Sequence, residues 1–325
     1  MRSETMAGPF ASASGVRRII EAAIAAPSVH NTQPWLFHHL KNSVTVYADL
    51  RRQLPVADPR GRCLGISCGA ALFNMRLAIR MTGHQARVLP LPAPRGAPDL
   101  LAVVRAVQGE APSQEERQLH AMIPRRRTNR FPFDGSPLPV KAVDDLVDAA
   151  GREGATLVML DSRVAREVLG MVAAADRALS RDDAHRRELS RWTGDGTRAD
   201  GIPRHAFGPR PECAELPLRD FSLGEGGEVA RFEGDPQIAA LFTRGDGPRD
   251  WLAAGQALQR VLLTATAQGV SASLLSQPLD LADQGHGDEP AGTLGYLQML
   301  LRLGYGPPVP AVPRRPLHEV FNTRS

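Results

Sequence analysis

Apolar residues recur at helical spacing along 16–25, at Val16, Ile19, Ile20 and Ala23, with charged residues between them. That period predicts an amphipathic helix. Pro27 ends it, because a proline biases the preceding residue away from helical geometry. A second stretch, 143–150 (VDDLVDAA), repeats the pattern of 16–23 (VRRIIEAA). Two further runs, 69–83 and 255–269, open and close on glycine at the same spacing. Small or apolar residues coincide in them at Ala71 and Ala257, Leu72 and Leu258, Met75 and Val261, and Leu77 and Leu263. Each run fits a buried helix closed by a glycine cap. Strand candidates lie at 44–48, 86–91, 101–107 and 155–160, where β-branched and apolar residues gather between turn residues.

The matched helices occur in the same order, so the chain reads as two tandem halves on one plan, 1–110 and 111–325,. The second matched pair is offset further than the first, which places an insertion between the matched helices of the second half. Segment 181–247 is the candidate: it holds Asp200-Gly201-Ile202-Pro203, Phe207-Gly208-Pro209-Arg210-Pro211 and Gly224-Glu225-Gly226-Gly227, and its periodicity is weak. Long irregular segments in compact domains are usually lids, binding loops or disorder. Trp192, Phe207, Phe221 and Phe232 need a surface to pack on, which favours a lid.

Composition narrows the class. The chain has 325 residues and 42% apolar content, enough for one large domain or two small ones with an ordinary core,. No stretch is long and apolar enough to span a membrane. The N-terminus lacks the charged start, apolar run and cleavage site of an export signal. Cys63, Cys68 and Cys213 form neither a disulfide framework nor a zinc spacing,, so a reducing cytoplasm is the expected compartment. Net charge is +4, and all the basic residues are arginines except Lys41 and Lys141. Aromatics make up only 5% and acids nearly balance bases, which argues against a nucleic-acid partner. His38, His39 and His84 lack partners at metal-ligand spacing,, and no G-x-S-x-G elbow is present.

Three segments carry candidate chemistry. In 26–35 (APSVHNTQPW), Ser28, Asn31 and Gln33 offer hydrogen bonds around a planar polar ligand, and Pro34 and Trp35 offer an apolar wall; an ordinary turn after a helix is the plainer reading. In 125–130 (RRRTNR), guanidinium forks match phosphate oxygens bidentately and Thr128 adds a donor,. Most such charge runs are solvated loops. In 269–278 (GVSASLLSQP), the pattern fits a strand following a buried helix.

The pattern A-P-S-x-x-N-x-Q-P-W resembles the flavin-contacting turn of the nitroreductase family, and Arg126-Arg127-Thr128-Asn129-Arg130 resembles the R-R-[ST]-x-R motif with which that family grips the flavin phosphate. The fused layout, the insertion and the Arg314-Arg315-Pro316-Leu317 ending resemble its Acg-type, dormancy-associated branch. The resemblance implies an α+β fold with a mainly antiparallel sheet in each half and long helices at a pseudo-two-fold interface. It implies FMN contacts from Pro27, Ser28, Val29, Asn31 and Gln33, and from Arg126, Arg127, Thr128 and Arg130. Further contacts are implied at Leu274, Leu275, Ser276 and Gln277 along the isoalloxazine, and at Arg314 and Arg315 on the phosphate. Many members stabilise reduced flavin with a lysine; here no lysine lies in a matched motif, so Arg127, Arg130 or backbone donors would serve.

In a homodimer of that family the turn of one chain meets the basic motif of the other. Here each half carries one motif, so the expected molecule is an intramolecular pseudo-dimer with one FMN per chain and no need of a partner to finish its site. The implied activity is hydride transfer from NAD(P)H through the flavin to a small aromatic electrophile such as a nitro compound or quinone, with no catalytic side chain beyond the flavin. The alternative is a protein that sequesters flavin with little NAD(P)H-dependent turnover, if 181–247 folds over the ring.

Overall fold

The computed structural model describes residues 8–212, 216–224, 226–286 and 293–323; Cys213 lies outside the described residues. The chain begins with α1 (Ala13–Ile24), capped by Ser12 Oγ, which accepts from the Gly15 N–H at 3.1 Å. A hairpin of β1 (Trp35–Leu40) and β2 (Ser43–Ala48) turns at Lys41, whose φ is 47°. Next come α2 (Arg62–Arg80), β3 (His84–Pro90) and β4 (Leu100–Gln108). The connector α3 (Gln114–Met122) starts on a Ser113/Glu116 capping box. In the second half, α4 (Val140–Gly151) and β5 (Thr156–Met159) lead to α5 (Ser162–Arg181) and α6 (Asp183–Arg191). The short strands β6 (Thr193–Gly194) and β7 (Ile202–Pro203) pair, as do β8 (Arg210–Pro211) and β9 (Val229–Ala230). The remainder is β10 (Gln237–Thr243), α7 (Pro248–Ala267), β11 (Ser271–Leu275), α8 (Gln277–Leu281), β12 (Tyr296–Gly304), α9 (Leu317–Val320) and β13 (Phe321–Thr323).

Besides these two short pairs, two larger sheets form among the described residues, in the orders β13-β1-β2-β4-β3 and β11-β12-β10-β5. Matching α1 to α4 and α2 to α7 makes the orders correspond: β1-β2-β4-β3 in one, β5-β10-β12-β11 in the other. Each sheet has its own core. Val16, Ile20, Phe37, Val46 and Leu72 lie in the first; Leu146, Leu241, Leu258 and Leu301 lie in the second. A fully buried side chain of this size contributes about 1.5–3 kcal/mol. The final strand, β13, returns from the second half to lie parallel beside β1, with Phe321 opposite Phe37.

Residues 160–236 separate β5 from β10, a span that overlaps the expected insertion 181–247, whereas a tight turn joins β1 to β2. Helix α5 lies in the span between β5 and β10. Its Ala165, Leu169 and Val172 cover the sheet face that carries Ile238, Ala240 and Leu300. The opposite face, with Ala239 and Leu241, packs on α4 and α7. A strand covered on both faces reads as a continuous apolar run rather than an alternation. Residues 237–243 (QIAALFT) therefore carry no strand alternation.

The helices α2 and α7 pack face to face between the sheets, and their crossing point is the duplicated glycine pair. A Cβ on Gly69 would lie 2.3 Å from the Leu252 carbonyl oxygen, and one on Gly255 would lie 2.0 Å from that of Ile66. Beside the crossing, the Gln259 amide donates to Asn74 Oδ1 at 2.8 Å, and the Asn74 amide donates to the Ala22 carbonyl at 2.9 Å. Both side chains are fully buried, so this pairing satisfies the Asn74 amide and the Gln259 donor, while Gln259 Oε1 has no partner,.

Candidate functional site

The turn between α1 and β1 holds three non-glycine residues in the left-handed region: His30 (φ 45°), Asn31 (φ 55°) and Gln33 (φ 51°). Such a cluster is costly unless its surroundings fix it. Here the Gln33 N–H donates to Ser28 Oγ at 2.9 Å and the Val29 N–H donates to Ser67 Oγ at 3.1 Å. The side-chain amides reach further. Asn31 Nδ2 donates to the Gly201 and Pro313 carbonyls at 2.9 and 3.2 Å. Gln33 Nε2 donates to the Ala199 carbonyl at 2.9 Å, and Gln33 Oε1 accepts from the Arg315 N–H at 2.7 Å. The turn thus clamps both the insertion and the C-terminal extension.

Gln33→Ala removes this clamp and leaves the Arg315 N–H unpaired, at a cost of about 1–3 kcal/mol. The expected result is faster limited proteolysis within 199–236, read by mass spectrometry of the fragments against the unaltered chain.

A cleft of about 220 Å³ opens beside the turn. Pro27, Ser28 and Asn31 line one side, Arg126, Arg127, Thr128 and Arg130 the other, and Arg314 the end. Thr128 forms a bridge to Ala272 and the Asn129 N–H donates to the Ala272 carbonyl at 2.9 Å, which anchors the basic motif on β11. Neutral acceptors hold three of the four arginines. Arg127 donates to the Pro124 and Arg126 carbonyls at 2.8 Å, and Arg130 donates to the Ala206 carbonyl at 2.7 Å. Arg314 crosses the C-terminal carbonyls of α1, donating to those of Ile24, Ala25 and Ala26, and to Asn31 Oδ1 at 3.1 Å. Arg126 is 4% exposed, and its Nε and Nη1 have no partner. Burial, with Arg314 and Arg127 nearby, pushes its pKa down to about 9. Burial also lowers Arg130, with Arg219, and Arg314, with Arg127, each to about 10. Among the described residues no carboxylate pairs with any of these four, although most other buried cations here have one, as Arg62 does in Asp283 at 2.8 Å. Buried charge without a counter-charge is costly, and a multiply charged anion with several acceptor oxygens would answer all four guanidinium groups at once.

A second cavity of about 90 Å³ adjoins the cleft, sharing Pro27, Ser28, Thr128 and Arg130 with it. Its walls are mainly apolar. Val29 and His30 come from the turn, Leu274, Leu275 and Ser276 from β11 and its end, and Ile66 and Ala70 from α2. Leu218, Arg219 and Phe221, from the span between β5 and β10, form a further wall. Phe221 lies under the Arg130 guanidinium, 4.6 Å from its carbon, and meets the His30 ring edge-to-face at 5.9 Å. An apolar cavity adjoining a cationic cleft is complementary to an aromatic ring that carries a phosphate tail,.

The expected site residues are not all brought together. Gln33 lines neither cavity, its amide being engaged as described. Arg315 is neutralised by Asp49 at 3.6 Å and Glu319 at 3.2 Å, so only its neighbour Arg314 faces the cleft. The Gln277 side chain is buried against the Pro217 carbonyl and Asp176, at 3.3 and 3.4 Å. Trp35 is fully buried in the first core rather than against a ligand. The insertion is held down at more points than the turn alone. Glu188 of α6 accepts from the Val56 and Ala57 N–H groups at 3.0 and 2.8 Å. Arg52 ion-pairs with Asp200 while lying over Trp192. His30, Arg219 and Ser67 are wall residues that motif matching does not single out.

No family model matches the chain. A Mycobacterium tuberculosis protein provisionally named an NAD(P)H nitroreductase is 34% identical over 320 residues, 96% of this chain and 92% of the relative. A second from the same organism, provisionally named the NAD(P)H nitroreductase acg, is 30% identical over 332 residues, 95% of this chain and 96% of the relative. Among solved structures, the FMN-dependent nitroreductase NfnB from Mycobacterium smegmatis, crystallised with NADPH, is 20% identical at a TM-score of 0.36, over 64% of this chain and 99% of its own. No helix among the described residues is long and apolar enough to cross a membrane.

Proposed function

The chain belongs to the nitroreductase family, and on that premise we propose that it binds one FMN and acts as an NAD(P)H-dependent oxidoreductase on a small aromatic electrophile such as a nitro compound or quinone. The observation that carries the cofactor is Arg126, a buried guanidinium with two unpartnered nitrogens in a four-arginine cleft that lacks a carboxylate. Arg126, Arg127, Arg130 and Arg314 with the Thr128 hydroxyl would hold the phosphate. The slot between Val29 and Leu274 would hold the ring, with Leu275 and Ser276 at its edge. FMN supplies the hydride-accepting and hydride-donating centre. The chain's own part is to orient the ring, exclude water and keep cationic groups where negative charge develops.

One site per chain follows from the placement of the motifs. Around residues 151–154, where α4 ends as α1 does before the turn, Glu153 accepts from Arg76 and Arg260 at 2.5 and 3.1 Å, and Glu115 accepts from Arg152 and Arg260 at 2.5 and 2.8 Å. Paired charges occupy that position, and no free cationic cluster lies there among the described residues. The two halves would then act as a fused pseudo-dimer, and a monomer would suffice.

A second reading, a flavin-holding protein with little turnover, is favoured by one feature: Leu218, Arg219 and Phe221 wall the slot that nicotinamide and acceptor must enter. Deletion of 205–228 separates the two. Faster NADPH oxidation with FMN still bound identifies a covered enzyme; unchanged oxidation with FMN still bound identifies a holding protein.

A further inference from the structure

The nitroreductase reading leaves one buried group in the ring slot without a task. His30 is 7% exposed, and its Nδ1 has no hydrogen-bond partner. It sits in the left-handed region at φ 45°, one residue past Val29 and facing Phe221. The groups around it are cationic or neutral. Arg219 comes from the insertion, Arg130 from the basic motif and His185 from α6. Arg219 is paired with Asp280 at 2.5 Å and lies 3.1 Å from His185 Nε2, to which it donates, so that His185 nitrogen carries a lone pair. Cys63, in the same cavity, is buried and its thiol is pushed well up, so it is uncharged. Burial first, then Arg219, His185 and Arg130, hold the His30 imidazole well below its ordinary range. His30 is therefore neutral at pH 7, and a negative charge added in the slot would favour its protonated form,.

We propose that His30 is the proton partner of the ring slot, taking up one solvent proton when a bound flavin accepts a hydride and releasing it when the hydride leaves. The inference rests on the flavin reading above. A hydride brings two electrons and one proton to a neutral ring system and leaves it with one net negative charge. Arg130, Arg219 and His30 line the slot that would hold the ring, and the imidazole would answer that charge by binding H⁺. On the return step a quinone takes the hydride from the ring and the proton from His30 and leaves as a neutral hydroquinone. The sum is NAD(P)H + H⁺ + quinone giving NAD(P)⁺ + hydroquinone, with the imidazole neutral again.

The test is a spectroelectrochemical titration of the FMN-loaded chain over roughly pH 6 to 8, which counts protons taken up per two electrons from the pH dependence of the potential. His30→Asn is the comparison, because asparagine tolerates the left-handed backbone of this position. The native chain is expected to take up two protons and the variant one. Equal counts in both, or a single proton in the native chain, overturn the proposal. A separate arm needs no flavin: the His30 imidazole signals in the flavin-free chain, assigned by their loss in His30→Asn, should not titrate between roughly pH 5 and 8. Titration in that range overturns the proposal. A chain that binds no FMN defeats the flavin reading itself, and the inference falls with it.

Discussion

Arg126→Met is expected to stabilise the flavin-free chain and to weaken FMN binding by roughly 100-fold, about 3 kcal/mol for a buried charge-assisted contact. The opposite signs have one cause. Without an anion, the Arg126 guanidinium is desolvated, lacks a carboxylate and has two unpartnered nitrogens; methionine fills a similar volume without a charge to desolvate. Replacing buried charge by apolar volume gains ~1 kcal/mol or more, or a Tm higher by about 2 °C in a chain of this size. Thermal melts of both chains and FMN titrations at pH 7 check each part. A Met variant that is less stable and binds FMN unchanged would show that the arginine serves the fold instead.

Gly255→Ala is expected to destabilise the chain by ~3 kcal/mol or more, beyond the usual range for overpacking because the obstacle is backbone. The new methyl would sit 2.0 Å from the Ile66 carbonyl oxygen and 2.8 Å from Gly69 Cα, so α2 and α7 must separate. Gly69→Ala meets the mirror obstacle at Leu252 and should behave alike. Gly170→Ala in α5 is the control: its methyl would have no neighbouring atom within 4 Å, and alanine in a helix interior is favoured by roughly 0.5–1 kcal/mol. Urea unfolding of the three variants should rank Gly170→Ala above the native chain and both interface variants far below it. Because α2 also walls the ring slot through Ile66 and Ala70, FMN retention should fail along with the interface.

These residues also show what a sequence gives away. The glycine pair is visible because a close helix crossing demands absent side chains at matched positions, and nothing else in an amphipathic helix does. The helices 16–25 and 143–150 and all four strand candidates correspond to elements of the fold, since period and β-branching are local signals. Strand β1 is hidden, because Trp35 reads as the end of the turn and the His38-His39 pair breaks the alternation. Strand β10 leaves little local signal because Ala239 and Ala240 have weak strand preference and their burial comes from α4, α5 and α7. At the site, the arginine cluster is legible as chemistry, but its lack of counter-charges is not. Arg315 looks like Arg314 until Asp49 and Glu319 fold onto it. Gln33 looks like a ligand contact until Ala199 and Arg315, far along the chain, reach it. The left-handed backbone of His30 has no local signature at all.

The most direct test of the phosphate-gripping single site is an equilibrium titration of the flavin-free chain with FMN and with riboflavin, which share the ring and differ in the phosphate. One FMN per chain is expected, with riboflavin weaker by roughly 100-fold, because it brings no anion for the buried Arg126 guanidinium to bind. Equal affinities for the two flavins, or two FMN per chain, would contradict the single phosphate-gripping site.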